Sequence, residues 1–447
     1  MTAHDFTDAG EVLAILKGLH RDGIDRKIFS DVVDCAPGTD AASPTDEIRY
    51  QYVDLVQEGG GVLGIGLLGY IYVLAQLGIR FLQLAGTSAG SITTLLLAAA
   101  GPLTEARSPW VLDKLASKNL YDFVDGDSDA RDFIDALLSG AGWPKLMLRG
   151  AQVLDNFRDD HGLNPGTNFH NWLKGLLAQR GIRTLADLTH LRQTPPAGGL
   201  FRRRPGTAQA DRSRPVPADE YARIALIASD ITTESKIELP RMADMFWSQP
   251  EQLNPADFVR ASMAIPLFFT PVRIKGLPQG RQAWEKWNDR LQYNGSIPDE
   301  VVLVDGGVLS NFPIDVFHNF YTVPSAPTFG VKLGVSRADW NRNDKVSSLV
   351  YNMFNAARHI HDVEFIIKNP DYQHLLCVID TGPHNWLDFG LKDDAKLDLF
   401  IRGAQAAESF LRRFDWEQYK QLRKRLAQVH HASEALSTDE DGASDNT

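Results

Sequence analysis

The stretch Phe81-Leu82-Gln83-Leu84-Ala85-Gly86-Thr87-Ser88-Ala89-Gly90-Ser91-Ile92-Thr93-Thr94-Leu95 decides how this chain is read. Residues 81–85 form a strand-like apolar run and residues 91–100 an apolar helix, so Gly86-Thr87-Ser88-Ala89-Gly90 falls on a sharp strand-to-helix turn. A serine at such a turn is lifted above the sheet edge, and the small neighbours Gly86 and Gly90 relieve crowding there. Ser88 would then stand at a helix N-terminus, where free backbone N–H groups and the positive dipole end favour a developing oxyanion.

Working upstream, residues 50–56 read as a strand that stops at Gly59-Gly60-Gly61-Val62-Leu63-Gly64, and a helix carrying Leu67, Leu68, Ile71, Leu74 and Leu77 ends near Gly78. Strand, helix, strand, helix in succession predicts a parallel sheet flanked by helices. The glycine loop opens the helix before the serine strand, so its N–H groups fall beside the same sheet edge as Ser88. The same loop also fits the dinucleotide pattern, as Gly59-x-Gly61-x-x-Gly64 and Gly64-x-Gly66-x-x-Gly69. That pattern requires an acidic residue about 20 positions on, at the end of the second strand. Between Glu58 and Glu105 there is no Asp or Glu, which removes the nucleotide reading.

Downstream, residues 222–228, 301–304, 328–333 and 375–379 are short and almost wholly apolar, the pattern of strands buried on both faces of a parallel sheet. Asp305 follows one of these runs directly and precedes Gly306 and Gly307, which places a carboxylate at a strand end where open sheets carry their active sites. The two glycines let a neighbouring group approach closely. None of the twelve histidines stands in a recognisable motif; His374 and His384 have only chain order in favour of a role as base.

Residues 1–30 read as amphipathic helix, 36–45 as a linker, and 46–420 as the main domain. Within it, residues 102–217 read as a mostly helical or loop insertion, with helical pieces at 130–138 and 169–179. Residues 201–215, rich in arginine and in breakers, read as a mobile surface loop, either solvated or in contact with an acidic headgroup. A closing helix is expected at 397–411, residues 421–447 read as a helix end and tail, and the acidic residues 433–447 of that tail read as disordered. The 447 residues are 43% hydrophobic and 23% charged, enough for a large core. A formal charge of -11 argues against nucleic acid as a partner. Cys35 and Cys377 offer no metal spacing and no disulfide framework, which fits a reducing, cytoplasmic compartment. The most apolar run, residues 91–100, is about half of the roughly 20 residues that a membrane span needs.

Taken together, Gly59-Gly60-Gly61-Val62-Leu63-Gly64, Gly86-Thr87-Ser88-Ala89-Gly90 and Asp305-Gly306-Gly307-Val308-Leu309-Ser310-Asn311-Phe312-Pro313 resemble, in order, the three signatures of patatin-like phospholipases. Ala261-Ser262-Met263-Ala264-Ile265-Pro266, Asp380-Thr381-Gly382 and Asp388-Phe389 extend the resemblance. It implies a three-layer α/β/α sandwich with a mainly parallel central sheet, and a Ser-Asp dyad without histidine, metal or cofactor. It further implies hydrolysis of phospholipid or lysophospholipid acyl esters at a membrane surface. Ser88 is then the nucleophile and Asp305 the base. Gly59, Gly60, Gly61, Gly64 and Ala89 form the oxyanion site, and Gly86, Gly90, Gly306 and Gly307 support the motifs. The family usually carries Arg or Lys where this chain has Leu63, which keeps a second reading open: a lipid-binding relative of weak activity. An acyltransferase or thioesterase would use the same dyad. Headgroup, chain length and oligomeric state are not encoded in these motifs.

Overall fold

All seven residues of Ile224–Asp230 are buried, as a strand covered on both faces must be. The computed structural model describes residues 1–36, 48–126, 162–334, 363–386 and 388–444. Along the chain come β1 (Val32–Cys35), β2 (Ile48–Gln57), β3 (Ile79–Thr87), β4 (Gly162–Asn164), β5 (Leu200–Arg203), β6 (Ala210–Pro215), β7 (Ile224–Asp230), β8 (Ser235–Leu239), β9 (Leu267–Phe269), β10 (Val272–Lys275), β11 (Glu300–Asp305), β12 (Thr328–Leu333) and β13 (Leu376–Ile379).

The parallel centre runs β13-β12-β2-β3-β7. β2 is long enough to change partner along one edge: its first half pairs antiparallel with β1, and its last residues pair parallel with β12. Helices cover the sheet in an α/β/α arrangement. The steps β2 to β3 and β3 to β7 go the same way across the sheet, so right-handed crossovers place helices Gly64–Gln76 and Ala89–Ala99 on one face. Helix Asp393–Arg413 packs against Gly64–Gln76 at glycine contacts. A Cβ on Gly69 would lie 2.0 Å from the Phe400 carbonyl oxygen, and one on Gly403 would lie 1.9 Å from that of Gly66. Gly66 and Gly69, which mimic a dinucleotide motif in the sequence, are therefore used for a close helix crossing.

Several expectations change. Residues 200–215 form the β5–β6 hairpin, which joins the sheet through β1, in place of a mobile loop. Edge strands tolerate charge on their solvent side, which hides them from a search for apolar runs. The run 301–304 is a strand, but β11 is antiparallel to β7 and to β10. The closing helix spans Asp393–Arg413, and a further helix, Trp416–Ser444, runs into the segment expected to be disordered. The linker at 37–45 and the helical piece at 130–138 lie outside the described residues.

Candidate functional site

Three strand ends converge at the site. β7 pairs through Ile224 to Ile227 with β3, and through Ala228 to Asp230 with β11. Because β8 holds the other edge of Leu226 to Asp230, β3 and β11 must share one edge of β7, meeting end to end. Thr87 pairs with Ile227 and Asp305 with Ala228, so one peptide step on β7 separates the points where the two strands stop. β2 ends beside them, its Gln57 paired with Gly86, and delivers the glycine loop.

The turn at Ser88 is strained in the manner its sequence implies. Ser88 has φ 52° and ψ -119°, a left-handed φ rarely adopted by a non-glycine residue. The surroundings leave no alternative path: a Cβ on Gly86 would stand 2.3 Å from the Gly90 carbonyl oxygen, and one on Gly90 2.4 Å from that of Gln57. Ser88 Oγ donates to Asp305 Oδ2 at 2.6 Å, with both residues buried. The carboxylate is itself held, since Asp305 Oδ1 accepts the Gly307 N–H at 2.7 Å. Gly306 has no room for a side chain: a Cβ there would lie 2.2 Å from the Ile227 carbonyl oxygen. Ser262 accepts the Ser88 N–H on its Oγ at 3.0 Å. The Ala-Ser-x-Ala stretch flagged Ser262 in the sequence without showing this role.

The glycine loop splits into donors already committed and donors left over. Gly59 N–H donates to the Asn311 carbonyl at 3.0 Å, and Gly64 N–H donates to that of Gly61. Both were expected to face an oxyanion, and both are instead committed within the protein. Gly59 contributes by its size, because a Cβ there would lie 3.1 Å from Ser88 Cβ. The N–H groups of Gly60, Gly61 and Ala89 meet no acceptor among the described residues. Gly61 takes φ +54°, and the carbonyl of Trp386, which accepts the Val62 N–H at 3.0 Å, lies where its Cβ would be. Leu63 is buried in the core, so no cation projects from that position.

Above Ser88 lies an apolar cavity whose walls include Ile65, Ile92, Leu115, Phe169, Trp172 and Phe389. Phe389, from a sequence-matched segment, stacks on Phe268 with ring centroids 4.7 Å apart. Among the described residues no histidine lines this cavity. His384 Nε2 lies 2.7 Å from Asp398, which also accepts from Arg402, so it serves that ion pair. Among the described residues, no group of three or more His, Cys, Asp or Glu side chains is placed to hold a metal.

A strained serine bonded directly to a carboxylate, beside uncommitted loop amides and under an apolar cavity, suits acyl transfer. The chain belongs to the patatin-like phospholipase family, whose model matches residues 55–318. Among curated proteins it resembles the uncharacterized protein YqhO of Bacillus subtilis, with 26% identity over 82% of this chain and 100% of that one. Among solved structures it matches VipD from Legionella pneumophila at 13% identity and a TM-score of 0.39, covering 87% of this chain and 71% of that one. It also matches ExoU, in complex with SpcU, of the Pseudomonas aeruginosa type III secretion system, at 16% identity and a TM-score of 0.31. That match covers 91% of this chain and 66% of the other. Among the described residues no helix is long and apolar enough to cross a membrane.

Proposed function

We propose that the chain is a lipid acyl hydrolase of the phospholipase A or lysophospholipase type, acting through an acyl-serine at a membrane surface. The observation that carries this reading is the 2.6 Å hydrogen bond from Ser88 Oγ to Asp305 Oδ2, at the floor of an apolar cavity. The cavity takes a fatty-acyl chain and sets its ester carbonyl against Ser88. Ser88 Oγ bonds to the carbonyl carbon as its proton passes to Asp305 Oδ2, and the carbonyl π electrons move onto oxygen. The N–H groups of Gly60, Gly61 and Ala89 receive that oxyanion, each well-placed donor contributing about 3 to 4 kcal/mol. Collapse of the intermediate expels the alcohol, which takes the proton back from Asp305. Water then gives a proton to Asp305 and attacks the acyl carbon. Fatty acid departs, and the proton returns to Ser88.

The test compares wild type with Ser88→Ala for fatty-acid release from phospholipid and lysophospholipid vesicles, and for labelling by a fluorophosphonate. Release and labelling that both vanish in Ser88→Ala support the reading. Full release by Ser88→Ala refutes the nucleophile. Lipid binding by a wild type that neither turns over nor labels would establish the lipid-binding relative instead. Transfer of the acyl group to an added alcohol or thiol acceptor in preference to water would mark an acyltransferase.

A further inference from the structure

Glu58 separates the last residue of β2 from Gly59 and is 1% exposed. A carboxylate at this depth persists only where its charge and lone pairs are met. Three donors meet it: Lys332 Nζ at 3.0 Å and Asn311 Nδ2 at 3.2 Å on Oε1, and the Leu333 N–H at 2.7 Å on Oε2. Each donor also bears on the loop or on the motif that follows Asp305. Asn311 brackets Gly59, accepting its N–H on the backbone carbonyl at 3.0 Å and donating Nδ2 to its carbonyl at 3.2 Å. Leu333 packs so closely that a Cβ on Gly60 would lie 2.7 Å from its Cδ1. Lys332 Nζ also sits 4.5 Å from the ring centroid of Phe312, next to Asn311.

These contacts join the end of β12 to both flanking motifs, although β12 supplies nothing to the serine or aspartate. The join follows from register: Val331 pairs with Gln57 and its carbonyl accepts the Glu58 N–H at 3.0 Å, which sets Lys332 beside Glu58. We infer that Glu58 and Lys332 are positioning residues for the glycine loop, an ion pair between a buried carboxylate and a half-buried cation that fixes where the Gly60 and Gly61 N–H groups point. The cation absent at Leu63 is replaced, as a source of order, by one from the neighbouring strand. Lys332 does not line the cavity, so it acts through Glu58 and Asn311. The effect on turnover rests on the acyl-hydrolase reading above; the effect on loop order does not.

The test uses the full chain with Lys332→Met, Lys332→Arg and Glu58→Gln, with folding checked by circular dichroism. Two measurements are made: steady-state hydrolysis of p-nitrophenyl butyrate, and hydrogen exchange of the Gly59, Val62 and Leu63 amides by mass spectrometry. A displacement of about 1 Å in a catalytic donor costs on the order of 100-fold in rate, so Lys332→Met and Glu58→Gln should lower kcat by about that factor with KM nearly unchanged. Exchange at the three loop amides should quicken while the strands β3 and β7 keep wild-type protection. Lys332→Arg, which can keep the ion pair, should restore most of kcat and the slow exchange.

Wild-type kcat in Lys332→Met overturns the inference, as does a loss of kcat with unchanged loop exchange or with exchange raised evenly throughout the chain. If Lys332→Met does not fold, the near-isosteric Glu58→Gln decides by the same two readouts. If wild type hydrolyses no ester, the hydrolase reading has failed, and the exchange comparison alone decides whether the pair orders the loop.

Discussion

Replacing Asp305 with asparagine separates the chemistry of the site from its architecture. Asp305 uses its two oxygens differently: Oδ1 accepts the Gly307 N–H at 2.7 Å and Oδ2 accepts the Ser88 hydroxyl at 2.6 Å. In Asp305→Asn the amide oxygen keeps the Gly307 bond, and the amide nitrogen falls where Oδ2 was. A proton acceptor facing Ser88 becomes a donor. General-base assistance contributes about 10²- to 10⁴-fold, and members of a catalytic unit tend to cost the full amount when removed singly. The expected loss of kcat is therefore near 10⁴-fold, a barrier increase of about 5.5 kcal/mol. Stability should change little by comparison, because the substitution is isosteric and one of the two bonds survives; the melting temperature should stay within about 5 °C of wild type. The assay is p-nitrophenyl butyrate hydrolysis combined with fluorophosphonate titration of Ser88. The substitution sets an amide before Gly306, a sequence prone to deamidation, so intact mass is checked on each preparation. A folded variant that keeps more than about one-tenth of wild-type kcat would refute Asp305 as the base.

Ile92→Trp, which intrudes on the apolar cavity, should depress hydrolysis of long-chain esters relative to butyrate by at least about tenfold; an unchanged ratio would place the acyl chain elsewhere. Asp54 gives a pH signature. Burial pushes its carboxyl up to about 8 against the lowering effect of its bonds from Gln83. The folded form thus holds a proton that the unfolded chain releases near its ordinary value of 3.8, so this contribution to stability is full below that value and is lost as pH rises towards 8. The melting temperature of wild type should consequently fall more between pH 5 and pH 8 than that of Asp54→Asn, and equal slopes would count against a protonated Asp54.

Much of the fold was legible because the three motif loops leave strands whose apolar runs are unmistakable, and because the glycine-flanked serine gains weight from two further loops at neighbouring strand ends. Strand direction was not legible: Val301 to Val304 is as apolar as any parallel strand, yet β11 runs antiparallel to β7. Apolarity reports burial on both faces and is silent on polarity of the chain. The glycine loop beside Ser88 was legible as a group, but which of its amides stay uncommitted was not, since Gly59 and Gly64 lose their N–H groups to carbonyls that only the folded loop brings near. Glu58 and Lys332 carried no signal at all. They lie far apart in sequence and meet because β12 pairs with the last turn-ward residues of β2. The β5–β6 hairpin has the composition of a loop because its arginines suit a sheet edge as well as solvent.

The meeting of β3 and β11 on neighbouring residues of β7 makes the Ser88–Asp305 contact conditional on assembly. Neither residue can find the other through local sequence, and both are brought into range only after two long-range ladders have closed on the same strand. A nascent or partly unfolded chain carries the serine and the aspartate but not the pair. Any chemistry that depends on the pair waits until the sheet is complete, so recovery of serine reactivity during refolding should time the closure of β7.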